Sequence, residues 1–205
     1  MVKTENTEER ILEAARAVFI RKGLTGARMQ EIADEAGINK ALLHYYFRTK
    51  EKLFDRIFFE VFQTISSGIN QAFTENIPFF DKIKKFIDLY IGVLLENPYL
   101  PIFFLNEIQQ NPERLQQFIE KDVFKSMSSF LIQLSDEINA GRIRPVHPVH
   151  FIINMIGMLV IPFAVKPLLA PIVSRQLGID YNDLLRERKE VVFQFIINAI
   201  KPIEK

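Results

Sequence analysis

Apolar residues recur along this chain with the 3.6-residue period of the α-helix, and no stretch sustains the two-residue alternation of a strand. Ile11, Leu12, Ala15, Val18 and Phe19 form one stripe, predicting a first helix that starts near Asn6-Thr7, with either residue as cap, and closes at Gly23. A short second helix is predicted over about 29–36, stopping at Gly37, and a third over 40–47 with Asn39 as its cap. Thr49 caps a long fourth helix carrying Leu53, Ile57, Val61, Phe62 and Ile65. Beyond it, Asn76-Ile77-Pro78, Asn97-Pro98, Asn111-Pro112 and the run from Gly141 to Pro148 act as stops. They leave segments of helical length and spacing at about 79–96, 99–109, 113–139, 149–165 and 181–201. The expected fold is all-α, with about nine helices and no internal repeat.

The second and third segments share a particular packing pattern. Ile32, Ala36, Ile38, Leu43 and Tyr46 are their apolar positions, with small Ala33 and Gly37 between them. Two helices crossing at Ala33, joined by a left-handed turn that only a residue without Cβ adopts cheaply, make a helix-turn-helix. With Leu43 at the centre of the buried side, a rotation of about 100° per residue turns Ala41 and Tyr45 outward. Leu42 and His44 then lie on the flanks, and Lys40 at the exposed start. That face suits a DNA major groove: Ala41 permits close approach, Leu42 offers contact to thymine methyls, and Lys40, His44 and Tyr45 reach bases or phosphates. Asn39 opens a helix start, whose N–H groups bind phosphate, and Lys50 is placed to do the same on the other side.

Charge sharpens this picture. The whole chain carries +1, too little for a polycationic coat, but residues 1–50 carry +2 and the remainder −1. Between Ile38 and Lys50 there are three basic residues and no acid. The positive charge is local, as a small docking site requires. Absence of cysteine excludes structural disulfides, thiolate metal sites and thiol catalysis, and fits a reducing cytoplasm. The N-terminus lacks the apolar run of a signal peptide, so a cytoplasmic location is expected. From Pro145 to Val165 there are 21 residues without Lys, Arg, Asp or Glu, close to the length of a membrane span. Pro145, His147, Pro148, His150 and Asn154 polarise its first half and Pro162 interrupts its end, so a protein-buried helix is expected instead.

The run from Gly23 to Phe54, GLTGARMQEIADEAGINKALLHYYFRTKEKLF, resembles the DNA-binding domain of the TetR family of one-component bacterial transcription regulators. The resemblance is carried by Gly23, Ile32-Ala33, Ala36-Gly37-Ile38, Lys40, Leu43, Tyr45-Tyr46-Phe47, Lys50-Glu51 and Leu53, and covers about residues 7–60. Beyond that stretch only length and helical character agree. There are three departures. Ala27-Arg28 stands where the family commonly has Thr-Thr or Thr-Ser capping helix two, Ala41 where a Gly is common, and His44 where a Tyr is common. Arg28 remains able to contact phosphate, while the cap is lost or moved to Thr25. The resemblance implies a helix-turn-helix DNA-binding domain over 1–50 and a helical effector-binding and dimerisation domain over 51–205. It also implies that the protein is not an enzyme: a regulator, in the repressor class, that binds a pseudo-palindromic operator as a homodimer.

The second region holds 17 of the 19 Phe and no Trp. Phe58, Phe62, Phe86, Tyr90, Phe103, Phe130, Met155 and Met158 fall on its apolar faces, the composition of a pocket for a hydrophobic small molecule, with Tyr90 or Asn154 as a polar anchor. An ordinary filled core needs the same residue types, so the effector site rests on the resemblance. The last helix is apolar nearly all round and must be buried on two sides. With Gly157 of the segment 149–165, its residues Val192, Phe195, Ile196 and Ala199 are the candidates for a dimer interface. A two-fold dimer sets its reading helices about 34–36 Å apart, one turn of duplex. His147 and His150 have a spacing that could bind metal, but no Cys, Asp or Glu lies nearby, and no metal or cofactor is expected. Neither a Ser-His-Asp order nor a phosphate loop is present. The competing reading is a helical small-molecule-binding or enzymatic protein whose N-terminal domain does not bind DNA. A membrane-associated helical protein using 145–165 is a third.

Overall fold

The structure, a computed structural model, describes residues 2–202, with the backbone alone at 2–6, 114, 117, 118, 121 and 122. The described residues form α-helices and no strand: α1 (Val2–Gly26), α2 (Met29–Glu35), α3 (Lys40–Tyr46), α4 (Lys50–Thr74), α5 (Phe79–Glu96), α6 (Leu100–Gln110), α7 (Pro112–Phe118), α8 (Phe124–Asn139), α9 (Pro148–Ala164), α10 (Lys166–Leu177) and α11 (Tyr181–Ile200). A π-helical turn, Ile119–Val123, joins α7 to α8. The chain divides into two units, Met1–Thr64 and Ile65–Lys205. The division falls inside α4 rather than at the 50/51 boundary read from the sequence, because the first half of that helix supplies Leu53, Phe54, Ile57 and Phe58 to the core of the first unit.

Four features differ from the sequence reading. α1 is already running at Val2, so neither Asn6 nor Thr7 caps its start; the Asn6 side chain lies outside the described residues. The single helix expected over 113–139 is α7, the π-turn and α8. A helix not expected at all, α10, occupies 166–177, although it contains Pro167 and Pro171. Pro167 sits in its first turn, where a missing N–H costs nothing. Pro162 likewise does not end α9, which continues to Ala164.

That interior proline is accommodated chemically. Pro162 has no N–H to offer the Met158 carbonyl one turn back. The Arg188 guanidinium of α11 donates to that carbonyl instead, at 2.6 Å, and the Tyr181 hydroxyl donates to the Pro162 carbonyl at 3.0 Å. Burial holds the Arg188 guanidinium below its ordinary value.

In the first unit, Ile11, Ala14, Ala15, Val18 and Phe19 of α1, Ile32 and Ala33 of α2, Leu43 of α3 and Leu53, Phe54, Ile57 and Phe58 of α4 are buried, with α1 packed on α2 and α2 on α3. Phe19 and Phe54 pack edge to face at 5.0 Å. The second unit is built around α5, which packs along α11 and against α8 and α9. Its centre is a column of rings: Phe86 on Phe73 at 4.9 Å, Phe73 on Phe130 at 4.4 Å, and Phe130 on Phe151 at 6.2 Å, all near parallel. Beside that column the buried Lys82 ammonium donates to the Phe73 carbonyl at 3.0 Å, closing the end of α4. Burial pushes the Lys82 amine below its ordinary value. No single helix among the described residues is long and apolar enough to cross a membrane; the apolar run around 145–165 bends by 70° where α9 meets α10.

Candidate nucleic-acid interface

The link between α1 and α2 fixes where the reading helices begin. Gly23 takes φ +66°, ψ 178°, a combination open to glycine alone, and kinks the chain at the end of the straight part of α1. The Ala27 N–H returns to the Gly23 carbonyl at 3.3 Å, and Arg28 follows in extended conformation. Arg28 is the N-cap of α2 by position, yet its side chain makes no capping bond and lies exposed. The hydroxyl cap the family commonly has at this point is absent from the α2 N-cap.

α2 ends in a Schellman turn. The Ile38 N–H bonds the Ala33 carbonyl at 3.0 Å and the Gly37 N–H bonds Asp34 at 3.1 Å, with Gly37 at φ +63°. A third donor was not foreseen: Arg10 of α1 reaches the Ala36 carbonyl at 2.6 Å. Glycine is favoured here by the left-handed backbone, and a Cβ would in addition press on that guanidinium at 3.0 Å. Arg21 to Glu35 at 3.1 Å and Lys22 to Glu31 at 2.8 Å add exposed ion pairs between α1 and α2.

α3 then presents the expected face. Leu43 is fully buried and Ala33 beneath it has no exposed surface. Lys40, Ala41, His44 and Tyr45 are exposed; Tyr45 stands out at 80%, while Leu42 is at 37%. Tyr45 is braced edge to face against Tyr46, ring centres 5.6 Å apart. Tyr45 and Leu42 together leave apolar surface in water on a helix whose other side is sealed, as a contact face does.

Three of the proposed DNA contacts are engaged within the protein. The Asn39 side chain accepts from the Leu42 N–H at 2.8 Å, capping α3 and using one of the donors a phosphate would take. His44 Nδ1 lies 3.2 Å from the Arg48 carbonyl, which makes Nδ1 the protonated nitrogen and ties the ring to the end of its helix. The Lys50 ammonium, half-buried, donates to the Ala27 carbonyl at 3.0 Å. Lys40, Ala41, Leu42, Tyr45 and Arg28 therefore form the outward set, with Asn39, His44 and Lys50 supporting it.

Residues 11–57 match the model for bacterial regulatory proteins of the tetR family. The chain belongs to the TetR family. It is 27% identical over 142 residues to the HTH-type transcriptional regulator RutR of Escherichia coli (strain K12), a stretch that spans 69% of this chain and just under two thirds of that protein, 66%. It is 39% identical over 70 residues to the HTH-type transcriptional repressor NicS of Pseudomonas putida, covering 34% of this chain and 31% of that protein. Among solved structures, HlyIIR, a hemolysin II transcriptional regulator, shares the fold with a TM-score of 0.63 at 22% identity, over 97% of this chain and 99% of that one.

The second unit of this TetR-family chain rearranges the effector and dimer candidates. Phe58 and Phe62 belong to the first unit, in a stacked row with Phe54 at 6.1 and 6.4 Å spacing. Phe86 and Phe130 sit in the filled ring column, and Met155 and Phe103 are buried. Tyr90 is half-buried at 5.5 Å from Phe86, its hydroxyl without a hydrogen bond among the described residues, and burial pushes the phenol up to about 12. Asn154 is exposed, too far out to anchor a ligand in that column. With Met158 it lines a groove of about 280 Å³ beside Arg144, His147, His150, Phe195 and Ala199. The two histidine rings are 5.0 Å apart, and no group of three or more metal-ligating residues occurs among the described residues.

On α11 the outward register is shifted from the one expected. Val192 and Ile196 are buried within the unit, at 1% and 3%, whereas Phe195 is 65% exposed beside Val191. Ala199 is half-buried, and Gly157 of α9 is half-buried with open space where a Cβ would project. Ile153 and Ile161 of α9, and Leu168 and Ile172 of α10, are also exposed.

Proposed function

We propose that this protein is a DNA-binding transcription regulator that acts as a repressor, binds a pseudo-palindromic operator as a homodimer, and is released by a hydrophobic small molecule. The observation that carries the reading is the outward face of α3: Lys40, Ala41, Leu42 and Tyr45 exposed around a fully buried Leu43, on a helix start free of acidic residues. That geometry fits direct readout in a major groove, with Arg28 as a phosphate contact at the head of α2. NicS, similar over about a third of this chain, is named a repressor.

The dimer reading is supported by Phe195, Val191, Ile153 and Ile161, apolar side chains exposed on α9 and α11 around the open space at Gly157. Apolar surface of this kind gains by burial against its own copy about a two-fold axis. The effector reading is supported by Tyr90, a neutral phenol with an unused hydroxyl against the aromatic column. α4 runs from Lys50 to Thr74, so one element belongs to both units and is the candidate for carrying a ligand's effect. A coupling of about 1–3 kcal/mol is enough for a useful switch.

The test is fluorescence anisotropy of the purified protein against duplexes selected from a random pool, at several salt concentrations and with competitor DNA. A selected palindromic duplex bound tightly, with affinity falling steeply as salt rises, is the expected result. Failure of selection to enrich any sequence would leave the helical ligand-binding protein as the better reading.

A further inference from the structure

We infer that α10 is an arm that docks on a second copy of this chain, and that its helix is completed by that contact; this rests on the homodimer reading above. None of its 12 residues, all of them described, is buried. Leu168 and Ile172, one turn apart, are 67% and 50% exposed, and of its apolar side chains only Ala170 and Val173 are even half-buried. A helix of about 12–15 residues is marginal in water by itself and gains most of its stability by burying an apolar face. Pro171, inside α10, also removes the backbone bond that would reach the Pro167 carbonyl. α10 thus has the composition of a covered helix and, within one copy, almost no cover.

Its ends are fixed all the same. At the start, the Lys166 ammonium donates to the Asn182 side chain at 2.7 Å. Tyr181 and Arg188 hold the last turns of α9, just before the 70° bend into α10. At the far end, Gly178 takes φ +66° and returns its N–H to the Ser174 carbonyl at 3.1 Å. Asp180 then caps α11, accepting from the Asn182 N–H at 2.8 Å. An apolar helix anchored at both ends and bare along its middle presents a surface; a slack connection between α9 and α11 would need neither.

That surface continues onto its neighbours. α10 packs within the unit against α9 and α11. Ile153, Gly157 and Ile161 of α9, and Val191 and Phe195 of α11, follow a four-residue spacing, the row that forms a packing ridge on a helix. Leu168 and Ile172 add a third such row. α9 contains no Lys, Arg, Asp or Glu from Pro148 to Ala164. A two-fold contact sets a patch against its own copy, so a face charged with one sign repels itself and an uncharged ridged face does not. A lipid surface is less well matched. Helices that lie in a membrane interface carry a strongly basic face, whereas α10 has only Arg175 and Lys166, the latter turned to Asn182.

The experiment uses the full-length protein, the double variant Leu168→Asp/Ile172→Asp, and Phe195→Glu, in which α10 is untouched. Sedimentation equilibrium reads the dimer dissociation constant, and hydrogen exchange reads the amides from Leu168 to Leu177 at concentrations above and below it. The double variant is expected to raise the dissociation constant at least about tenfold. Wild-type exchange in α10 should slow as the dimer forms, and monomeric Phe195→Glu should exchange fast there although its α10 sequence is intact. Circular dichroism melts of both variants at low concentration check that each copy still folds, since both changes fall on exposed positions. A dimer whose dissociation constant the double variant leaves unchanged, or α10 exchange equal in monomer and dimer, would overturn the inference and leave the homodimer reading standing. A wild type that stays monomeric at every concentration would sink both. Co-sedimentation of the wild type with phosphatidylcholine–phosphatidylglycerol vesicles, lost in the double variant while its dimer persists, would assign the arm to lipid and overturn the inference.

Discussion

α3 and α11 make an instructive pair. Both are amphipathic elements with one sealed side, yet α3 could be oriented from its residues and α11 could not. In α3 the choice of inside is forced: Leu43 is the one position that buries completely, and Lys40, His44 and Tyr45 all carry polar groups that resist burial. In α11 the run Val191 to Ile200 offers apolar residues on every side, so hydrophobicity cannot say which ones face the unit. The structure puts Val192, Ile196 and Ile200 inside and leaves Val191 and Phe195 in water. A helix whose polar groups are confined to one side records its orientation in its sequence; one that is apolar on every side does not.

The largest expected effect tests the inside of this contrast. Phe130→Ala removes the ring shared by Phe73, Phe79 and Phe151 and should destabilise the protein by about 3–5 kcal/mol in urea denaturation. On the other side, Phe195→Glu should leave helix content intact while converting dimer to monomer in sedimentation velocity. A wild-type protein that is monomeric at micromolar concentration would remove the need for a second copy on that face.

Gly37→Ala should cost about 1–2 kcal/mol from the left-handed backbone alone, plus whatever is lost when the Arg10 guanidinium is pushed off the Ala36 carbonyl. Comparing it with Gly37→Ala in an Arg10→Ala background separates the two costs. A much smaller effect comes from the exposed Glu137–Arg142 pair of bonds at 2.6 and 3.0 Å. The Arg142 hydrogen bonds hold the Glu137 carboxyl below the ordinary glutamate value, against a weaker opposing effect of burial. Its folded value therefore lies below its unfolded one. The contribution is fully present above the unfolded value and is lost as pH falls through the folded one. Arg142→Gln should therefore lower the melting temperature slightly at neutrality and leave it unchanged below the folded value, so that the acid limb between them is flatter.

Most of the first unit was legible because its turns are local chemistry. Gly37 at positive φ, Asn39 capping Leu42 and Thr49 capping Lys52 all follow from residues within three or four positions of one another. The long-range donors were not legible: Arg10 to Ala36, Lys50 to Ala27 and Arg188 to Met158 join positions 23 to 30 residues apart, and a lone basic residue does not announce which carbonyl it will find. α10 was missed because two prolines within six residues read as loop, although one of them sits in the first turn, where proline is tolerated. The effector candidates were drawn from apolar spacing, which marks filled core and open pocket alike; the ring column shows that Phe86 and Phe130 are of the first kind.

The central claim is that the exposed side of α3 reads DNA, and Tyr45 tests it most directly because the fold does not use its ring for burial. The measurement is the anisotropy titration of Tyr45→Ala against the selected duplex, alongside its urea denaturation curve. Stability is expected within about 0.5 kcal/mol of wild type, with affinity for the selected duplex reduced toward that for random DNA. Full retention of affinity and sequence preference in Tyr45→Ala, with stability equally unchanged, would contradict it.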